Sequence, residues 1–220
     1  MIPLRDDQRT RSFPVGTLLL IAVNAYVFAG WQMHLGVEES VDRAGFLPIE
    51  LTSHAPSGWT HVFTSMFMHG GWMHLIGNMW FLWVFGHGDE EICGHLRYLI
   101  FYLLCGVSAT LAFTAMAPRS EIPLVGASGA ISGVLGAYLL HFPAARVLAI
   151  VPLGPFIRIM QVPAWLFLLI WIGFQVLFQF VAANAHGVES SGVAYAAHIG
   201  GFIAGMGLIF FFEKRPTSRN

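Results

Sequence analysis

GASGAISGVLGAYLLH, residues 126–141, is the stretch whose reading decides the fold. It is apolar enough for a bilayer, yet it carries Gly, Ala and Ser where a lipid-facing helix would carry Leu or Ile. Small residues let helix backbones approach closely inside a membrane. The stretch therefore predicts a central helix enclosed by protein, and the rest of the chain must supply that enclosure.

The composition supplies it. Of 220 residues, 56% are hydrophobic and 10% charged, whereas a soluble protein carries about 25% charged residues. Five further apolar runs, at 13–32, 72–87, 97–117, 164–183 and 193–212, approach the roughly 20 residues that a spanning helix needs. The run at 72–87 is shorter and extendable upstream. The first run has no small-residue cleavage site, so it reads as a retained helix rather than a signal peptide. The apolar stretch 147–157 is too short to span and is broken by Pro152 and Pro155, which places it in a loop or at the membrane interface. The expectation is an all-α polytopic membrane protein with six transmembrane helices. Residues 1–12 form a short cytoplasmic tail, 13–212 one bundle with a long first outer loop at about 33–60, and 213–220 a second cytoplasmic tail.

The net charge is −1 without blocks of like charge, so a nucleic-acid partner, which needs clustered Lys and Arg, is not expected. Cys93 and Cys105 are too few for a disulfide framework or a zinc site and read as buried thiols. Neither a metal nor a cofactor is expected. If the N-terminus is inside, the inner segments hold nine basic residues and the outer ones only Arg43 and Arg119. The positive-inside rule then puts both termini in the cytoplasm.

Polar residues within spans are costly and mark function by default. The second run holds His74 and Asn78 in HGGWMHLIGNMW, the fourth Ser128 in GASG, and the sixth His198 in AAHIGGFIAG. In that orientation these three runs all descend from the outer face, and at about 1.5 Å per residue the four residues lie at a similar shallow depth. Gly126 and Gly129 leave the Ser128 hydroxyl and N–H exposed. Ser132 continues the Ser128 face, while Gly201 and Gly205 continue the His198 face. Two such small-residue faces pack closely enough to bring a serine hydroxyl onto an imidazole. His74 and Asn78, at i and i+4, share one helix face and can donate N–H groups to an oxyanion together with the Ser128 N–H. His69 is off that face and is expected to make a structural hydrogen bond near the helix start.

These residues resemble the rhomboid intramembrane serine proteases, in their prokaryotic-like six-span form. The resemblance rests on His69, His74, Leu75 and Asn78 in the second run, on Gly126, Ser128 and Gly129 in the fourth, and on Ala197, His198, Gly201 and Gly205 in the sixth. Gly86, Glu90, Gly94, Arg97 and Tyr98 look like the family's connection between its second and third spans. The resemblance implies a serine endopeptidase working by a dyad, with Ser128 as nucleophile, His198 as base, and His74, Asn78 and the Ser128 N–H as oxyanion hole. It implies a multi-pass protein of a bacterial cytoplasmic membrane. Its partners would be the lipid bilayer and single-span or other transmembrane substrates, cut near the outer face. Four residues after the nucleophile, where some members stack a Tyr on the base, this chain has Ser132. Packing against glycine or another residue must then hold His198.

A substrate helix shields its own amides, so it has to enter sideways and unwind. Trp171, Phe174 and Phe178 recur at helical spacing in the fifth run, as lipid-facing or core packing or as a lateral gate toward the second run. The segment 184–194, with Gly187, Ser190, Ser191 and Gly192, is the expected flexible cap. Two rivals are a non-proteolytic rhomboid-like binder of membrane helices and a transporter. The transporter predicts ionisable groups across the whole membrane, which these runs lack.

Overall fold

The computed structural model describes residues 1–185 and 194–214. The expected cap falls largely outside these residues.

A strand β1 (Ile2–Arg5) precedes the helices. The first helix, α1 (Val15–Leu35), contains a π-helical turn at Val27–Gln32. Three short helices follow: α2 (Val37–Ala44), α3 (Pro48–Thr52) and α4 (Gly58–Thr64). The longer helices are α5 (Trp72–Cys93), α6 (His95–Met116) and α7 (Ser128–His141). After the strands β2 (Arg146–Leu153) and β3 (Phe156–Pro163) come α8 (Ala164–Ala185) and α9 (Tyr195–Phe212). Among the described residues α1, α6, α8 and α9 are long and apolar enough to cross a membrane. The other two long elements fall short for different reasons. α5 ends in Asp89, Glu90 and Glu91, and α7 has only 14 residues.

α7 is the hub, as its composition requires. α5, α6, α8 and α9 all pack on it, and Ala130, Ser132, Val134, Leu135, Ala137 and Tyr138 are buried around its whole circumference. The closest approach is to α9. A Cβ on Gly201 would overlap the carbonyl oxygen of Gly129, and one on Gly205 that of Gly133. Glycine here is a requirement of backbone contact.

α1 is fastened to α5 by a buried carboxylate. Glu90 accepts the N–H groups of Gly16 (2.6 Å) and Thr17 (2.8 Å) and the Thr17 hydroxyl (2.7 Å). These amides open α1, where the helix leaves its N–H groups unpaired and its dipole favours an anion. Gly94, at φ +79°, turns α5 directly into α6 in a conformation that a side chain would strain.

The structure adds detail to four expectations. The chain is mostly helical, not all-α: β1, β2 and β3 form an antiparallel sheet in that order. Pro152 and Pro155 do not break the stretch 147–157. Pro152 lies within β2, and Pro155 forms the two-residue hairpin turn with Gly154, which adopts φ +62°. The short segment 1–12 is packed on the helices, where β1 pairs with β2 and Asp6 is bonded by His87 (3.3 Å) and by the Tyr138 hydroxyl. The region expected as a long outer loop is itself folded. Phe46 and Leu124 exchange backbone hydrogen bonds (3.1 and 2.8 Å), and Gly126 N–H donates to the Ser65 carbonyl (2.9 Å). The chain entering α7 is thus pinned on both sides.

Candidate functional site

Ser128 is the first residue of α7. An amide at that position has no acceptor within its own helix and sits at the positive end of the helix dipole. The preceding Gly126, at φ +119°, brings the backbone against α5: a Cβ there would lie 2.8 Å from His74 Nε2 and 3.6 Å from Asn78 Nδ2. The glycine therefore serves the close approach of His74 and Asn78 to the serine.

On the other side, the Ser128 hydroxyl and His198 Nε2 are 2.9 Å apart. This contact follows from the glycine seam, which sets α7 and α9 at backbone contact. The opposite ring nitrogen, His198 Nδ1, lies 2.8 Å from Gln175 Oε1. A carbonyl oxygen only accepts, so Nδ1 carries the ring proton and Nε2 presents its lone pair to the serine O–H. Trp171 packs beside the same ring, with centroids 6.0 Å apart and planes at 36°, and also stacks on Phe202.

These contacts show what holds the His198 ring when position 132 is a serine. Ser132 does not reach His198. It is buried, and its hydroxyl donates to the Ser128 carbonyl at 2.7 Å. The positioning contacts come from α8, through Gln175 and Trp171. Gln175 was not among the residues picked out from the sequence. Its signal was one of only two amides, with Gln179, in the otherwise apolar run 164–183, one helical turn beyond Trp171.

His74 Nδ1 accepts from the Gly70 N–H at 3.3 Å, which leaves the neutral ring's proton on Nε2, the atom facing Gly126. Asn78 is buried, and its Nδ2 has no hydrogen-bond partner among the described residues. A buried amide donor without an acceptor is rare and calls for a reason. His69 sits just before the start of α5. Its ring nitrogens are buried without a hydrogen-bond partner among the described residues, and the ring packs edge-on against His74 at 5.2 Å. The bonds near this helix start are made by its backbone: Gln32 accepts the His69 N–H (2.8 Å) and donates to its carbonyl (3.0 Å).

These groups line one cavity of about 480 Å³ between α5, α7, α8 and α9, with Met73 and Phe81 on one wall and Trp171 and Phe178 on the other. The aromatic stripe divides. Trp171 faces His198, Phe178 lines the cavity and packs on Tyr195, and Phe174, half exposed, stacks on Phe178 from outside. α8 is also the least enclosed of the four apolar helices, with 17% of its apolar stretch buried against 33–44% for the others.

Residues 56–215 match the family model of the Rhomboid domain. The chain is 30% identical over 219 residues to Rhomboid-like protein 11, chloroplastic, of Arabidopsis thaliana, covering 97% of this chain and 71% of that protein. It is 30% identical over 192 residues to Rhomboid protease GluP of Bacillus subtilis, covering 87% of this chain and 34% of that protein. It is also 30% identical over 176 residues to human Inactive rhomboid protein 1, covering 78% of this chain and 18% of that much longer protein. The chain thus spans about a third or less of the latter two relatives. With a match across most of its length and helices suited to a bilayer, this integral membrane protein belongs to the rhomboid family.

Proposed function

We propose that the protein is an intramembrane serine endopeptidase that cuts transmembrane segments near one face of the bilayer. The observation that carries this reading is the 2.9 Å contact between the Ser128 hydroxyl and His198 Nε2, with the imidazole proton committed to Gln175 on the opposite side. In this reading α5 and α7 complete a bundle of six spans. The Lys and Arg bias of the segments between them puts both termini in the cytoplasm and the dyad near the outer face of a bacterial cytoplasmic membrane.

The chemistry follows from the atoms. Ser128 Oγ attacks the scissile carbonyl while His198 Nε2 takes its proton. The oxyanion accepts from the Ser128 N–H, Asn78 Nδ2 and His74 Nε2. Fixed donors of this kind contribute about 3–4 kcal/mol each, and the unbonded amide of Asn78 then has its reason. The C–N bond breaks as His198 returns its proton to the leaving amine. Water, deprotonated by the same nitrogen, hydrolyses the acyl-enzyme and frees Ser128.

Substrate enters between α5 and α8, past Phe174 and Phe178. The weak enclosure of α8 supports this entrance, since a helix that must part from its neighbours is drawn from the loosely held elements.

The similarity to Inactive rhomboid protein 1 motivates the second reading, a non-proteolytic binder of membrane helices. One experiment separates the two. The full chain in lipid vesicles is treated with a fluorophosphonate probe, alongside Ser128→Ala and His198→Ala. Labelling lost in both variants, together with cleavage of a transmembrane substrate by the parent chain, is the expected result. An unlabelled parent, or labelling that survives Ser128→Ala, overturns the protease reading.

A further inference from the structure

The segment 5–11 reads RDDQRTR, and its two kinds of charge have different tasks. Both carboxylates turn inward. Asp6 Oδ1 lies 3.3 Å from His87 Nε2 on α5, and Asp6 Oδ2 accepts the Tyr138 hydroxyl. Asp7 accepts the Arg146 N–H at 2.8 Å. The arginines are left over: Arg5, Arg9 and Arg11 are exposed, and none of them pairs with a carboxylate among the described residues.

Beside Arg5 the segment does not close on α5. A cavity of about 300 Å³ separates them, with Arg5, Asp6 and Thr10 on one side and Trp83, Val84 and His87 on the other. Its positive charge exceeds its negative charge. His87 Nδ1 lies 3.3 Å from the Trp83 carbonyl, and Nε2 faces Asp6. Both partners only accept, so both ring nitrogens carry protons. The imidazolium thus offsets the one carboxylate in the cavity, and the Arg5 guanidinium has no anion to meet. A planar fork of N–H donors in that position suits a phosphate, which it can bind through two oxygens at once.

What carries the phosphate follows from the border of the cavity. The apolar run of α5 ends at His87, and Asp89, Glu90 and Glu91 come directly after it. In an integral membrane protein, this is where hydrocarbon gives way to headgroups. Trp83, in the cavity wall, is 50% exposed, and Phe13, just past the arginines, is 70% exposed. A soluble phosphate compound would leave this apolar border uncovered. A phospholipid covers it with its acyl chains while its phosphate meets Arg5.

We propose that the cavity between the N-terminal segment and α5 binds one anionic phospholipid. The Arg5 guanidinium holds its phosphate, the Thr10 hydroxyl adds a second donor, and Trp83 lies along the first methylenes of an acyl chain. Arg9 and Arg11 favour an anionic headgroup over a zwitterionic one. The site is separate from Ser128 and does not depend on the protease reading.

The test uses the full chain, delipidated in detergent and titrated with phosphatidylglycerol or phosphatidylcholine, with bound lipid counted by native mass spectrometry. One phosphatidylglycerol should bind at least about fivefold more tightly than phosphatidylcholine. Arg5→Gln should weaken it by at least about fivefold, and Thr10→Val by about two- to threefold. Arg119→Gln, in the connection between α6 and α7, should leave binding unchanged. Equal affinity for the two lipids overturns the proposal, as does phosphatidylglycerol binding that is unaltered in both cavity variants or equally weakened in Arg119→Gln. Glycerol 3-phosphate, which carries the phosphate without acyl chains, distinguishes the source of the anion. It should fail to displace the lipid at matched concentration, and displacement would identify a soluble phosphate compound as the ligand and overturn the lipid assignment.

Discussion

His198 is held by two contacts built on opposite principles. On the α7 side glycine faces glycine, and the backbones of α7 and α9 meet at Gly129, Gly133, Gly201 and Gly205. On the α8 side large side chains reach across a looser gap, through Gln175 to the ring nitrogen and Trp171 to the ring face. A glycine seam has no rotamers to adjust, so it fixes the serine-to-imidazole distance permanently. A contact made by long side chains can be broken and remade when its helix moves. The comparison teaches that Ser128 and His198 are rigid relative to each other, while the orientation of the imidazole depends on α8, the helix proposed to admit substrate. Opening the entrance would then release Gln175 from His198, and closing it would restore the bond.

The largest expected effect breaks the rigid side chemically. Ser128→Ala should lower kcat by on the order of 10⁴–10⁶, read as cleavage of a transmembrane substrate in vesicles. Breaking it sterically comes next. Gly205→Val forces α9 off the Gly133 carbonyl and should cost about 3 kcal/mol or more, seen as a fall in Tm with loss of probe labelling. A Tm equal to that of the parent would show that the backbones are not in contact. Asn78→Ala removes one donor and should lower kcat about 10²–10³-fold with the fold intact by circular dichroism.

The looser side gives smaller effects and sharpens the comparison. Gln175→Leu leaves the Nδ1–H of His198 buried without an acceptor, at a cost of about 1–2 kcal/mol, or roughly tenfold in kcat. Gln175→Glu keeps the acceptor and should recover most of the rate. Equal rates for the Leu variant and the parent would remove Gln175 from the mechanism. Phe174→Ala should change KM for a transmembrane substrate by only a few-fold, without altering fluorophosphonate labelling.

Legibility from sequence followed the range of the interactions. The helices could be read because burial of backbone in lipid forces long apolar runs, and the small-residue composition of 126–141 marked α7 as central. Ser128, His198, His74 and Asn78 could be read as a group because each sits at a countable depth in its own run. Gln175 could not be read, since one amide in an apolar helix becomes meaningful only when His198 is known to face it. The sheet was missed because Pro152, Gly154 and Pro155 suggest a break and a hairpin turn equally well. Only the packing of β2 on Phe85 and Phe167, and the pairing of residues 2–5 with it, selects the hairpin.

The sequence by itself therefore determined the membrane character, the glycine seam and the four polar residues around the cavity, because a local pattern of hydrophobicity and side-chain size is enough to specify each. The tertiary structure decided what orients His198, which backbone Asn78 approaches, and how the N-terminal segment packs on α5. Each of these is a pairing between residues distant in the chain, and no spacing rule connects Gln175 with His198 or Asp6 with His87.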